Sequence, residues 1–131
     1  MTPATPTDIV DLQLTAYNAR NLQGFCALFA PTAVIATVGQ ATPLASGLEE
    51  IRQRYRSRFS NQDLCCTVKN RMQLGEFVID HEWVTGMGAK PVEVAAIYQV
   101  RDGLIQSLHF VWPGSVGPTD VAAPRVPDSS V

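Results

Sequence analysis

The chain has 131 residues, of which 46% are apolar and 17% charged, and its formal net charge is −2. A chain of this length is expected to fold as one domain, and its small negative charge disfavours nucleic acid or an anionic membrane as a partner. It contains no apolar run near the ~20 residues needed to span a bilayer, and its Thr/Pro-rich start lacks the features of a signal peptide. These properties predict a cytoplasmic protein.

The three cysteines are Cys26, Cys65 and Cys66. Their number is odd and their spacing is not that of metal ligands, which favours reduced thiols and no bound metal.

Two helices are predicted before the first strand. Thr5, followed by a proline and by Asp8, forms an N-terminal capping pattern for a helix that runs to about Arg20. Asn21 is expected to cap a second, short helix that Pro31 ends.

A strand is predicted over residues 33–38, and a third helix follows it. Ser46 with Glu49 three residues later has the spacing of a capping box. This helix carries Arg52, Arg54, Arg56 and Arg58. A phosphate or an acidic partner is one interpretation, and a solvated face with salt bridges to Glu49 and Glu50 is the favoured one.

Four strands in an antiparallel meander are predicted after Asn61. Gly75-Glu76 suits a type II′ turn and Asp102-Gly103 a type I′ turn, so residues 92–101 and 104–112 should pair. In the first of the four strands, the even-numbered residues 66–74 are expected on one face and the odd-numbered residues 65–73 on the other, with one face buried and the other in solvent. Residues 1–114 form the predicted domain, and 115–131 a flexible or draped tail without periodicity.

The order ααβαββββ predicts an α+β domain with helices on one face of a strongly curved sheet. Three stretches, NARNLQGFCALFAPTAVI, SGLEEIRQRY and VEVAAIYQVRDGLIQSLHFVW, resemble the nuclear transport factor 2-like superfamily in its SnoaL-like and ketosteroid-isomerase-like branch. The resemblance implies a cone-shaped half-barrel whose mostly antiparallel sheet and three helices enclose an apolar pocket, often in a homodimer packed through the sheet.

The resemblance also bears on the chemistry of the pocket. Aligned with ketosteroid isomerases, the sequence has Thr37 at the position of the catalytic base, Gln13 at that of the first-helix tyrosine and Tyr98 at that of the second donor. A threonine cannot take a proton from carbon at neutral pH, so isomerisation by the family mechanism is not expected.

The triplet Asp80-His81-Glu82 places three chemically active side chains on one strand. Side chains alternate along a strand, so His81 faces away from both carboxylates. Because Phe77, Ile79 and Trp83 accompany His81, its face is predicted to line the pocket, as a neutral base or as a hydrogen-bonded core residue. Asp80 and Glu82 would then be carboxylates of the surface or of a dimer interface.

The same alternation groups Ala96, Tyr98 and Val100 on one strand and Leu108, Phe110 and Trp112 on the next. The family pattern turns both sets inward and His109 outward. Tyr17 and Tyr55 are first explained by helix packing.

The sequence is therefore interpreted as a SnoaL-like small-molecule pocket protein of unknown specificity whose status as an enzyme stays open. As an enzyme it would be a cofactor-independent isomerase, dehydratase or hydrolase acting on a mostly apolar ligand with one oxygen. His81 would be the acid or base and Tyr98 the hydrogen-bond donor. The predicted pocket residues are Gln13, Tyr17, Thr37, Tyr55, Trp83, Phe110 and Trp112. The alternative is a non-catalytic binding or dimerisation module, which a cone packed solid with side chains would favour.

Overall fold

The computed structural model describes residues 4–113, which form three helices and six strands. The helices are α1 (Pro6–Asn18), α2 (Leu22–Cys26) and α3 (Leu48–Arg58). The strands are β1 (Phe29–Thr37), β2 (Ala45–Ser46), β3 (Cys65–Leu74), β4 (Phe77–Thr85), β5 (Val92–Arg101) and β6 (Leu104–Val111). No helix among the described residues has the length and apolar character needed to cross a membrane. The predicted tail, 115–131, lies outside the described residues.

The strands form one curved sheet in the order β2-β1-β6-β5-β4-β3, in which only the β1–β6 pair is parallel. Helix α1 packs against β3, β4 and β5, and α3 against β1 and β2. The predicted α+β cone with a meander of four strands is confirmed. The type I′ turn is confirmed as well, because Asp102 and Gly103 both have positive φ, at 56° and 76°.

The caps of the first two helices form as predicted. The Thr5 hydroxyl accepts from the Asp8 amide at 3.1 Å, and the Thr5 amide donates to the Asp8 carboxylate at 3.0 Å. The Asn21 side chain accepts from the Gly24 amide at 3.0 Å. The prediction that Pro31 ends α2 was wrong, since α2 ends at Cys26 and Pro31 lies within β1. The register of β1 against β6 shifts between Phe29 and Val34, which accommodates a residue without an amide hydrogen.

The start of α3 differs from the predicted capping box by one residue. Ser46 belongs to β2, a two-residue strand too short to leave a periodic pattern in the sequence. The N-cap is Gly47, whose φ of 87° favours glycine. Glu50, rather than Glu49, reaches back to accept a hydrogen bond from the Ser46 amide at 2.8 Å.

A β-bulge in β3 reverses which side chains face the helices. Residues pair regularly with β4 until Val68, and the register then shifts by one so that Lys69 is the extra residue. Before the bulge the even-numbered Cys66 is buried, whereas beyond it the even-numbered Met72 and Leu74 are 55% and 69% exposed. The predicted uniform alternation of β3 is therefore wrong.

The buried face of β4 is also opposite to the predicted one. Its inward side chains are Val78, Asp80, Glu82 and Val84, and its outward ones are Phe77, Ile79, His81 and Trp83. On β5 and β6 the predicted faces are confirmed, with Tyr98 and Phe110 buried and His109 pointing outward.

An arginine supplied by the bulge makes the inward orientation of Asp80 possible. Arg71 donates to both oxygens of the Asp80 carboxylate, from Nε at 2.7 Å and from Nη2 at 2.9 Å. Its Nη1 also donates to Asp11 of α1 at 2.6 Å. Asp80 is only 1% exposed, so this bidentate ion pair compensates a charge that is almost fully removed from water.

We predict that Arg71→Ala lowers the free energy of unfolding by about 3–5 kcal/mol, because Asp80 would remain buried without a partner. Urea denaturation at pH 7 measures the change. The matched control is Arg101→Ala, which breaks the exposed Arg101–Glu76 ion pair and should leave stability nearly unchanged. Equal effects of the two substitutions would contradict the role given to Arg71.

Candidate functional site

A cavity, here called the cone cavity, lies between α1 and the concave face of the sheet. Its volume is about 10 Å³, which is room for roughly one water molecule. It is lined by Gln13, Leu14, Tyr17, Tyr55, Cys66, Glu82, Val84, Tyr98, Leu108 and Phe110. Leu14 is the one lining residue that is not buried, so the cavity comes nearest to solvent beside α1.

Three polar side chains meet at the cavity wall. The Tyr98 hydroxyl lies 3.0 Å from Oε1 of Gln13 and 3.4 Å from Oε2 of Glu82. A phenol has one hydrogen to donate and serves a single acceptor well. Gln13 and Glu82 therefore compete for that hydrogen, and Gln13 accepts it at the shorter distance.

The pKa of Glu82 is raised to about 7, first by burial and second by the neighbouring negative charge of Asp80. Hydrogen bonds from Cys66 and Tyr98 and the charge of Arg71 oppose these effects. Glu82 is only 4% exposed, so loss of hydration is the dominant cause. A carboxyl group with this pKa can either donate or accept a proton near neutral pH.

The tyrosines of the cavity are hydrogen-bond donors. Burial holds the pKa of Tyr17 and of Tyr98 well above the usual range, so both phenols keep their hydrogens. The buried Tyr17 hydroxyl has no hydrogen-bond partner among residues 4–113. Its ring is fixed by edge-on packing against Phe59, with ring centroids 5.5 Å apart. This hydroxyl is therefore available to a water molecule or a ligand.

Cys66 is placed by α1 and is not a nucleophile. The Asn18 side chain donates to the Cys66 carbonyl at 3.0 Å and accepts from the Cys66 amide at 2.7 Å. Burial strongly raises the pKa of the Cys66 thiol, which keeps it protonated. Within the described part of the chain, no group of three His, Cys, Asp or Glu residues could hold a metal ion.

The structure gathers part of the predicted site. The predicted residues that line the cone cavity are Gln13, Tyr17, Tyr55, Tyr98 and Phe110. Thr37 and Trp112 are hydrogen-bonded to each other, Trp112 Nε1 to Thr37 Oγ1 at 3.3 Å, and are not among its lining residues.

His81 and Trp83 lie on the outer face of the sheet, away from the cavity. The His81 side chain is 41% exposed and pairs with the Glu93 carboxylate on β5. The Lys69 ammonium lies 5.8 Å from the centre of the Trp83 ring. The expectation that His81 faces the pocket was wrong, because Arg71 allows the face with the carboxylates to be the buried one.

Glu82 is the residue that the sequence interpretation did not assign to the site. The available signal was Val78 and Val84, one at each end of the β4 face that carries Glu82. Valine is typical of buried strand faces, as are the aromatic residues on the opposite face of β4. The sequence does not show the bulge that brings Arg71 to Asp80.

Comparisons with known proteins agree with this architecture. Residues 10–108 match the family model of the SnoaL-like domain. A comparison with curated proteins finds no match.

The same fold is found in solved structures. A nuclear transport factor 2-like protein of unknown function from Cytophaga hutchinsonii has a TM-score of 0.70 and 17% identity, over 92% of this chain and 97% of that one. A candidate ketosteroid isomerase from Kribbella flavida has a TM-score of 0.73 and 17% identity, over 86% and 81%. A de novo designed protein with a curved β-sheet has a TM-score of 0.71 and 12% identity, over 96% and 97%. At these identities the likeness shows the fold alone.

We predict that Glu82 makes folding stability fall as pH rises. The folded state holds the Glu82 proton to about pH 7, whereas an ordinary glutamate releases it near 4.5. Below pH 4.5 both states are protonated, and between 4.5 and 7 only the folded state is, so this contribution to stability is lost across that interval. The loss is on the order of 3 kcal/mol, at about 1.4 kcal/mol per pKa unit.

Denaturation of the wild type and of Glu82→Gln at pH 5 and pH 8 measures this effect. The neutral glutamine should remove the decline, while Glu93→Gln, on the outer face, should retain it. A decline of equal size in Glu82→Gln would assign the pH dependence to other groups.

Proposed function

Because the chain belongs to the SnoaL-like domain family, within the nuclear transport factor 2-like superfamily, we propose that it binds a small, mostly apolar molecule with one carbonyl or hydroxyl oxygen in the cone cavity. The observation that carries this proposal is the buried Glu82 carboxyl, with its raised pKa, beside the Tyr98 hydroxyl. Perturbed carboxyl groups in clefts are concentrated at functional sites.

The energetic cost of these polar groups supports a ligand site over a simple core. Glu82, Tyr98 and Gln13 are each at most 5% exposed, and the Tyr17 hydroxyl beside them lacks a partner in the described chain. A buried polar group that forms no hydrogen bond costs about 1–3 kcal/mol. A core needing only to hold the sheet against α1 would be more stable with apolar side chains here, whereas a ligand oxygen would satisfy these groups.

The chemistry proposed for this site is proton transfer without a cofactor. Glu82 would accept a proton from the bound molecule or deliver one to it, since its pKa lies near neutral pH. Tyr98 or Tyr17 would donate a hydrogen bond to the ligand oxygen as charge develops on it. Isomerisation, dehydration and hydrolysis all use such a pair. His81, on the outer face, is replaced by Glu82 in this proposal.

Ligand entry requires the cone to open. The cavity of about 10 Å³ holds one water, and ligand pockets are usually ≈ 300–1,000 Å³. Leu14 and Gln13 of α1 cover the side nearest solvent, so a displacement of this helix would enlarge the cavity.

The small cavity volume favours a second candidate, a non-catalytic module in which the same side chains fill the cone. A ligand-binding experiment separates the two candidates. In the non-catalytic module the Tyr98 hydroxyl contacts only other residues of the protein, whereas in the ligand site it also contacts the ligand.

We predict that 2-naphthol binds the protein more tightly than naphthalene, which lacks the oxygen. Tyr98→Phe should weaken 2-naphthol binding by about 0.5–1.5 kcal/mol, the usual net contribution of a neutral hydrogen bond, and leave naphthalene binding unchanged. Fluorescence titration at pH 7 measures both affinities. The control His81→Gln should bind both compounds like the wild type.

If Tyr98→Phe lowers the melting temperature but the two compounds bind equally to all variants, the module is the correct assignment. A loss of 2-naphthol binding only in His81→Gln would indicate that the ligand binds on the outer face of the sheet, at His81.

We also propose that the protein forms a homodimer through the outer face of the sheet. The support is a set of exposed apolar side chains on that face: Met72, Leu74, Phe77 and Val111. Exposed apolar patches of this kind mark interaction surfaces on small domains.

Light scattering at micromolar concentration should give the mass of two chains. Leu74→Glu should give the mass of one, because a charge would be buried at the interface. Leu12→Glu is the matched control, since Leu12 is an exposed leucine on α1, which packs on the opposite face. A wild-type monomer, or equal effects of the two substitutions, would reject this interface.

A further inference from the structure

A second concavity lies between α2 and α3 and shares no lining residue with the cone cavity. Its volume is about 580 Å³, within the range of small-molecule sites. We call it the arginine groove, and it is lined by Leu22, Gln23, Cys26, Ala27, Leu48, Arg52 and Arg56.

The two arginines of the groove have no acidic partner in the described part of the chain. Arg52 and Arg56 are one helical turn apart and therefore project from the same side of α3. Neither forms a hydrogen bond or ion pair with residues 4–113, so their expected salt bridges to Glu49 and Glu50 are not formed. The Glu50 carboxylate is instead bound to the Ser46 amide. Two guanidinium groups are thus left available at one edge of the groove.

The floor of the groove is apolar. Cys26 is 2% exposed, and Leu22 and Leu48 are half-buried against the core. Burial raises the pKa of the Cys26 thiol, and the charges of Arg52 and Arg56 act against that increase. The Glu49 carboxylate raises the same pKa, but it is the smallest of these effects, so the two arginines outweigh it at the floor of the groove. The groove therefore combines a cationic edge with an apolar surface, in a chain whose net charge is −2.

We infer that the arginine groove binds an amphipathic monocarboxylate of the medium-chain fatty acid class. The carboxylate would lie between Arg52 and Arg56, where guanidinium groups form charge-assisted and bidentate hydrogen bonds. The acyl chain would cover Leu22, Cys26 and Leu48. An inorganic anion such as phosphate would use the charges and leave the apolar floor unoccupied, so the amphipathic ligand fits more of the surface.

Decanoate is the test ligand, titrated into the full ¹⁵N-labelled chain below the concentration at which it aggregates. The backbone amide signals of α2 and α3 should shift in a saturable manner. Acetate, with the charge but no chain, and decyltrimethylammonium, with the chain but the opposite charge, should bind at least tenfold more weakly.

The variant carrying both Arg52→Gln and Arg56→Gln should bind decanoate at least tenfold more weakly, because two charge-assisted hydrogen bonds are lost. Arg101→Gln, at the β5–β6 turn, is the control with one surface arginine removed and should bind like the wild type. Both variants change exposed or partly exposed positions, and their amide spectra report whether the fold is kept.

Four results would overturn the inference. The first is saturation of the double variant by decanoate at wild-type concentrations, the second is acetate binding as tight as that of decanoate, and the third is a set of shifts confined to residues around Glu82 and Tyr98. The third result would instead assign decanoate to the cone cavity. Absence of saturable shifts in the wild type would reject the arginine groove as a fatty-carboxylate site.

Discussion

The bidentate ion pair between Arg71 and Asp80 is the interaction on which the interior of this domain depends. It allows β4 to turn a face with two carboxylates toward the helices, although a carboxylate buried alone would cost several kcal/mol. The same guanidinium binds Asp11 and so joins α1 to the sheet at the level of the cone cavity. Burial on this face, together with the negative charge of the neighbouring Asp80, raises the pKa of Glu82 to about 7. The Arg71–Asp80 ion pair thus contributes both to the fold and to the surroundings of Glu82.

The cone architecture does not by itself dictate which residues fill its interior. A de novo designed protein matches 96% of this chain with a TM-score of 0.71, so this shape can be specified by a sequence that is 12% identical. In the present chain Gln13, Glu82 and Tyr98 meet in the cone, beside a Tyr17 hydroxyl that has no hydrogen-bond partner among residues 4–113. Function in such scaffolds is decided by the site residues, and the fold is permissive. Because the cavity is small, a ligand larger than a water molecule would enter it only with a displacement of α1.

Local signals in the sequence predicted most of the fold. The Thr5–Asp8 cap and the Asp102-Gly103 turn depend on neighbouring residues alone, so each could be recognised from a few letters. The order of helices and strands carried the family resemblance. The errors arose where a long-range contact decides the outcome: β2 exists only because it pairs with β1, and the shift at Lys69 exists only against β4.

The candidate site was predicted only in part, because long-range contacts also decide which side chains reach it. Tyr98 and Phe110 followed from simple alternation, because the register shift of the β5–β6 pair has its extra residue at Gln106, outside both sets of inward side chains. Glu82 did not, since the choice between the two faces of β4 depends on a partner for Asp80 located nine residues away in the sequence. The face of β4 with Asp80 and Glu82 is predicted to be exposed when its partner Arg71 is not recognised. The opposite, aromatic face is then predicted to be buried.

The proposed chemistry depends most on the protonation of Glu82, which can be observed at the residue itself. The side-chain carboxyl ¹³C resonance of Glu82, assigned by its absence in Glu82→Gln, should be followed by NMR from pH 4 to 9 in the full chain. A titration midpoint near 7 is the predicted result, with Tyr98 signals changing at the same pH because the hydroxyl and carboxyl are in contact. A midpoint in the ordinary range of glutamate, near 4.5, would contradict a desolvated acid–base group in the cone.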